Sequence, residues 1–526
     1  MINKKQIISS IVLFIIISLF FRIDFRFKDT VECCSDDFDY FSHAETIAID
    51  MDFDYSNQLP PNHSFIFEYN GKISPVGFPG TGILASPFLY FGNIIDKNLN
   101  SGNGDEVLNY KLLLYSLSPI FYLFIGYILV FKSLIILNFD VDKYKLLVLI
   151  SGSGITYFAF ERFSMTHSYE FFTLSLLIYS TIIFYKNGNK LHAFIVPISL
   201  MVSLLVRMSN YYIFLLPIIV KLIYSKENQT KFSLIKNRTF IFSTTLSIFI
   251  YNFLSRSIYG KLVINPQEVY GTDISVTNVV SNNEGYVDFL LKSILDSFRV
   301  IFGNEFGIFW LSPIIFAGLA LSILNLKNYK NFGNILLLIC FAQNFAILII
   351  WQSTGASYGF RYLYSLVPIC VIIFYYYKKI FKQKIFFNFI FLMSIFSNLS
   401  ILFFETTEQT QLSIVEIINS FGALRNYSEP AYVTGVVRSL TEINSYLIIF
   451  TTSLVGVIFF KLLLIMFDVS VLINFLNTLG LPTENQDFIL YLENLEIISV
   501  NKILLIILFL FSFCYFVVFR LNEPKK

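Results

Sequence analysis

The feature that most limits this chain is the recurrence of apolar runs about twenty residues long, the length a helix needs to cross a bilayer. Such runs fall near 6–24, 110–137, 146–160, 169–185, 191–206, 210–225, 239–255, 306–325, 333–350, 363–377, 385–404, 446–466 and 502–520. Backbone polar groups in lipid must be satisfied within the segment, so these runs are predicted to be helices. Composition agrees. Of 526 residues, 55% are hydrophobic and 14% charged, where a soluble domain carries about 25% charge. The predicted fold class is all-α, a polytopic membrane helical bundle of about 11 to 13 spans. The net charge of +2, without a long basic run, gives no sign of a nucleic-acid partner. Cys340, Cys370 and Cys514 lie in apolar runs and read as packing residues.

Lys and Arg in short loops orient the spans. With the N-terminus inside, the inside loops collect Lys143 and Lys145, Lys186 and Lys190, Lys221 to Arg238, Lys327 and Lys330, and Lys378 to Lys384. The short outside loops hold Arg162, Arg207 and Arg361. Residues 25–109, 256–305 and 405–445 then lie outside. The chain divides into a first span (1–24), a large outer loop (25–109), a core of spans (110–404) and a C-terminal region (405–526).

The first outer loop carries the densest chemistry. Residues 36–49 read as an amphipathic helix, with Asp37, Phe41, Ala44 and Ala48 on one stripe at i, i+4, i+7 and i+11. Asp37 heads that apolar face, while Asp36, Asp39, Tyr40 and His43 take the neighbouring face. A carboxylate aimed at the buried side of a membrane-surface helix can act as a general base. Ser35, Asp36 or Asp37 could instead cap the helix, but three acids in four positions exceed what capping needs. Asp50, Asp52 and Asp54 alternate without the glycine and glutamate of a calcium loop, and read as a solvated loop. The stretch 73–95 is rich in Gly and Pro and is predicted to form a surface-lying or dipping helix.

Taken in order, Asp-Asp-Phe-Asp-Tyr-Phe at 36–41, Asp-Met-Asp-Phe-Asp-Tyr-Ser-Asn at 50–57, and Pro-Val-Gly-Phe-Pro-Gly at 75–80 leading to Ser-Pro-Phe at 86–88 resemble bacterial GT-C glycosyltransferases. These membrane enzymes are related in fold to protein O-mannosyltransferases and aminoarabinose transferases. Three later stretches look similar to the same family: Glu161 to Phe172, Gly303 to Pro313, and Trp351 to Leu363 with its Tyr-Gly-Phe-Arg-Tyr. The resemblance covers roughly residues 1–380 and stops before 405.

The resemblance implies a GT-C-like bundle whose large outer first loop carries surface helices. It implies transfer of a sugar from a polyprenyl-phosphate donor to a lipid, glycan or protein acceptor, at the outer face of a bacterial inner membrane. The catalytic carboxylate of the family lies near the start of the first-loop helix, which points to Asp37 with Asp36 as alternate. Asp39 and Tyr40 fall beside them as substrate contacts. An inverting transfer also needs cations for the departing phosphate, and Arg207 and Arg361 are the candidates, with Arg162 behind them. Each of these arginines could instead anchor a helix end. His167, Glu305 and Tyr358 complete the substrate-binding candidates. No cofactor is certain, although the Asp37-Phe38-Asp39 unit leaves a divalent cation open. Two other readings are an O-antigen polymerase or ligase, and a lipid or glycan transporter. The first usually carries its main outer loop late and rich in Arg. The second should show repeat symmetry or charges within spans.

Overall fold

In a computed structural model of the protein, the described residues are 35–59, 66–99, 110–160, 162–227, 232–270, 286–303, 307–326, 332–351, 359–381, 384–402, and 466–478 with isolated positions between 460 and 493. The predicted spans at 6–24 and 502–520, most of that at 446–466, and the candidates Glu305 and Tyr358 lie outside them.

The chain is a multi-helix, all-α membrane protein with one small hairpin. Helix α1 (Ser35–Glu45) runs into a π-helical turn (Thr46–Asp50), then strands β1 (Ile66–Tyr69) and β2 (Lys72–Pro75). There follow α2 (Gly80–Leu99), α3 (Tyr110–Ile136), α4 (Lys143–Ser151), α5 (Ile155–Phe160), α6 (His167–Asn187), α7 (Lys190–Val206), α8 (Leu216–Glu227) and α9 (Arg238–Tyr259). After these come α10 (Gln267–Tyr270), α11 (Tyr286–Phe302), α12 (Ile308–Leu311), α13 (Pro313–Leu324), α14 (Phe332–Trp351), α15 (Val367–Ile380), α16 (Lys384–Leu402) and α17 (Val469–Thr478). Among the described residues, three stretches are long and apolar enough to cross a membrane: α3, α6, and Arg361–Ile380, in which a 3-10 turn (Arg361–Leu366) leads into α15. Shorter apolar helices include α7, α13 and much of α14 and α16. Helix α3 packs on α6 and α2, α6 on α7, α7 on α9, and α13 on α15.

Local chemistry explains the boundaries. Gly188 closes α6 at φ 65°, and the Asn189 side chain accepts hydrogen bonds from Leu191 N and His192 N to open α7. Two residues thus make a tight antiparallel corner. Asp96 near the end of α2 accepts from the backbone N–H groups of Tyr110 and Lys111, at 2.9 and 2.8 Å. A carboxylate at the helix start also suits the macrodipole of α3.

Four expectations change. The run 146–160 is not one span, because Gly152-Ser153-Gly154 separates α4 from α5 and Gly154 is left-handed at φ 79°. The run 306–325 splits at Pro313, which brings no N–H to the helical ladder. The polar stretch after residue 57 contains an antiparallel hairpin, in which Tyr69 pairs with Lys72 across Asn70 and Gly71. Both turn residues have positive φ, 51° and 75°, the requirement of a type I′ turn that Asn-Gly meets. Finally, α1 is buried on more than the one stripe expected of it. Its stripe is buried as expected, but Asp39, Tyr40 and His43 on the neighbouring face are buried too. The reason is that α2 and the linker after β2 cover that second face. Helix α2 comes so close that a Cβ on Gly82 would stand 2.5 Å from the His43 Cβ.

Candidate functional site

Helix α1 is seated by packing and by the backbone of one residue. Phe41, Ala44 and Ala48 bury against Ala85, Leu89, Leu112, Tyr115 and Phe163. The Phe41 and Tyr115 rings meet edge to face at 5.1 Å, a geometry worth about 0.5–1.5 kcal/mol beyond area burial. Lys111 reaches Glu45 at 2.9 Å and ties α1 to α3.

That residue is Gly77. Its N–H donates to Asp39 Oδ2 at 3.0 Å. Its carbonyl accepts from His43 Nε2 and from the Tyr259 hydroxyl, both at 2.8 Å. A carbonyl has no proton, so Nε2 of His43 carries one, and Nδ1 accepts from the Tyr55 hydroxyl at 2.7 Å. One residue of the β2–α2 linker therefore joins α1 to the end of α9.

This clamp works with neutral histidine. Burial lowers the His43 pKa to about 4, against a small opposing pull from the Gly77 hydrogen bond. In the unfolded chain His43 takes a proton near pH 6.5. Its contribution to stability is therefore complete above pH 6.5 and is lost as pH falls toward 4, by up to roughly 3 kcal/mol. The melting temperature in detergent should drop from pH 7 to pH 4.5, and His43→Gln should flatten much of that drop. An equal drop in both proteins would remove His43 as the cause.

Three acid–arginine pairs stand near the start of α1. Arg162, in the α5–α6 loop, reaches Asp37 Oδ2 at 2.5 Å, and these side chains are 5% and 3% exposed. Arg207, just past α7, reaches Glu170 Oε1 at 3.1 Å, with Glu170 1% exposed. Arg361, at the 3-10 turn before α15, reaches Asp36 Oδ2 at 3.4 Å, and these are 17% and 36% exposed. The last two arginines both lie over the ring of Tyr362, with guanidinium carbons 4.6 Å (Arg207) and 5.6 Å (Arg361) from its centroid. The Tyr40 hydroxyl is held well above the usual tyrosine range by burial and by nearby Tyr270 and Asp36, against the pull of Arg207 and Arg361. It stays a neutral phenol beside the two cations.

Of the predicted site residues, Asp36, Asp37, Tyr40, His167, Arg207 and Arg361 come together here, with Arg162. Asp39 is one helical turn away, engaged with Gly77. His167 is buried among Phe158 and Tyr364, with Nδ1 3.6 Å from Glu170 Oε2. It stands beside Glu170, which accepts from the Thr166 hydroxyl at 3.0 Å. Sequence reasoning leaves Glu170 and Tyr362 out of the site. The signal for Glu170 is an ionisable residue in the first turn of a span, which is costly in lipid unless paired.

Among the described residues no group of three or more His, Cys, Asp or Glu side chains could hold a metal ion. The Asp37-Phe38-Asp39 pair does not make a cradle either: Asp37 turns to Arg162 and Asp39 to Gly77.

No family model matches the sequence, and no curated protein does. Solved structures of an archaeal oligosaccharyltransferase from Archaeoglobus fulgidus do match. The complex with zinc and sulfate is 12% identical over 84% of this chain and 52% of that chain, with a TM-score of 0.33. The apo form is 13% identical over 84% and 55%, at 0.34. The AglB complex with an inhibitory peptide and a dolichol-phosphate is 12% identical over 84% and 55%, at 0.31. The chain thus spans about half the length of these proteins. A likeness at this level assigns neither fold nor activity.

Proposed function

We propose that this protein is a membrane glycosyltransferase that moves a sugar from a polyprenyl-phosphate donor to an acceptor at the outer face of the membrane, with inversion. The observation that carries the reading is an accessible carboxylate, Asp36, beside two guanidiniums that share the Tyr362 ring. A base beside a pair of cations is what transfer from a lipid phosphate requires. The residues come from positions as far apart as 36 and 361, and all but Tyr362 are nominated by sequence alone.

In this reading the acceptor hydroxyl attacks the anomeric carbon from the face opposite the phosphate. Asp36 takes the hydroxyl proton as the new bond forms. The bond from the anomeric carbon to the phosphate oxygen breaks, and its electron pair leaves with the polyprenyl phosphate. Arg207 and Arg361 face that developing charge, and arginine matches phosphate in a two-pronged way. Asp36 is favoured over Asp37 because a base must be reached by the acceptor. Asp37 is nearly sealed and bonded to Arg162, so it fits the task of fixing the start of α1.

The test is transfer by the purified full chain in detergent, with a radiolabelled polyprenyl-phosphate sugar and membrane extract as acceptor. Label should move into an acceptor. Transfer from a diphosphate-linked oligosaccharide, with none from any monophosphate donor, would replace this reading by a polymerase or ligase.

A further inference from the structure

We propose that Arg361 is a shuttling cation, which leaves Asp36 and follows the negative charge onto the departing phosphate during transfer. The inference rests on the reading of the site as a polyprenyl-phosphate-dependent transferase.

The three acid–arginine pairs differ in how firmly they are held. Arg162–Asp37 is short and sealed at 2.5 Å. Arg207 holds a nearly fully buried acid at 3.1 Å, and that acid is also engaged by Thr166. Arg361–Asp36 is the longest, at 3.4 Å, and its acid is 36% exposed. A pair this open contributes about 1 kcal/mol or less, so it separates easily. Arg361 also has a donor to spare, because its buried Nε has no hydrogen-bond partner among the described residues. Both guanidiniums lie over Tyr362, so a charge arriving beside Arg207 is also close to Arg361. One cation is fixed and the other is free to move.

The charges then balance. Before transfer the donor phosphate is a diester with one negative charge, and Asp36 is a carboxylate. The acceptor proton goes to Asp36, which becomes neutral. The electron pair of the broken bond goes to the phosphate, which becomes a monoester with two negative charges. The total is unchanged, but one unit has passed from Asp36 to the phosphate. The attraction that held Arg361 on Asp36 vanishes as the phosphate gains its second charge. Proton removal and leaving-group stabilisation are thereby coupled through one side chain.

The test is equilibrium binding of polyprenyl phosphate to the purified full chain in micelles at one pH. It compares wild type, Asp36→Asn, Arg361→Gln and the double variant, each first checked for an unchanged melting temperature. Arg361→Lys replaces Arg361→Gln if the latter fails to fold. Asn removes the charge as protonation does. The expected result is binding tighter by up to about fivefold in Asp36→Asn, the release of a pair that contributes about 1 kcal/mol or less. That gain should disappear in the double variant, because the two sites are coupled. Equal affinity of wild type and Asp36→Asn would overturn the proposal. So would a gain that survives without Arg361, which would mean that Asp36 merely repels the phosphate. Failure of every protein to bind polyprenyl phosphate would remove the transferase reading itself, and the shuttle with it.

Discussion

Asp36→Asn should reduce sugar transfer by about two to four orders of magnitude, the span that positioned proton transfer contributes. The side chain keeps its size and loses its basicity. It points to the accessible side of α1, away from the stripe that seats the helix. The melting temperature should therefore stay within a degree or two of wild type, as is usual for a surface change away from the core. Steady-state rates with the labelled donor, read beside the melting curve, make the measurement. A folded Asp36→Asn enzyme with wild-type turnover would exclude Asp36 as the base.

Arg162→Met should be the most destabilising of the charge substitutions, at about 3–5 kcal/mol, because it leaves the Asp37 carboxylate buried without its ion-pair partner. Replacing both members is a different experiment. Asp37→Leu with Arg162→Met exchanges the pair for apolar groups, and such exchanges are often neutral or stabilising. The double variant should melt near wild type while each single variant melts well below it. Its activity also separates the two acids. Substantial transfer by the folded double variant fits Asp36 as the base. A double variant that is folded and inert, beside an active Asp36→Asn, would give the role to Asp37.

The stripe of α1 is legible in the sequence, because a period near four places Asp37, Phe41, Ala44 and Ala48 on one face, and those residues are buried. The burial of Asp39, Tyr40 and His43 is not legible. It depends on Gly77 and Tyr259, which lie 34 residues beyond His43 and 182 beyond Gly77, and no local pattern announces them. The breaks at Gly152–Gly154 and at Pro313 are marked by ordinary helix breakers, but the apolar residues around them hide the interruption inside a longer run. The hairpin turn at Asn70-Gly71 is a strong local signal within a stretch whose overall polarity suggests only loop. Arg207 and Arg361 stand out because so few basic residues occupy short loops on their side. Their pairing with Glu170 and Asp36 is not legible, since contact across 37 and 325 positions is a property of the bundle. Helix α11 shows the reverse case. Its apolar stripe of Leu291, Leu295 and Phe298 is regular in sequence and exposed in the fold.

Gly77 also sets an order of events. Its carbonyl cannot receive the Tyr259 hydroxyl until the ribosome has passed residue 259, and Asp36 cannot meet its guanidinium until residue 361 has emerged. Chains are made from the N-terminus at about 5–20 residues per second. The newborn protein therefore carries its acid-bearing helix for many seconds as an unfinished half, with neither the anchor that seats it nor the cation that answers it. Chemical competence belongs to the last stages of assembly, after most of the membrane helices are already in place.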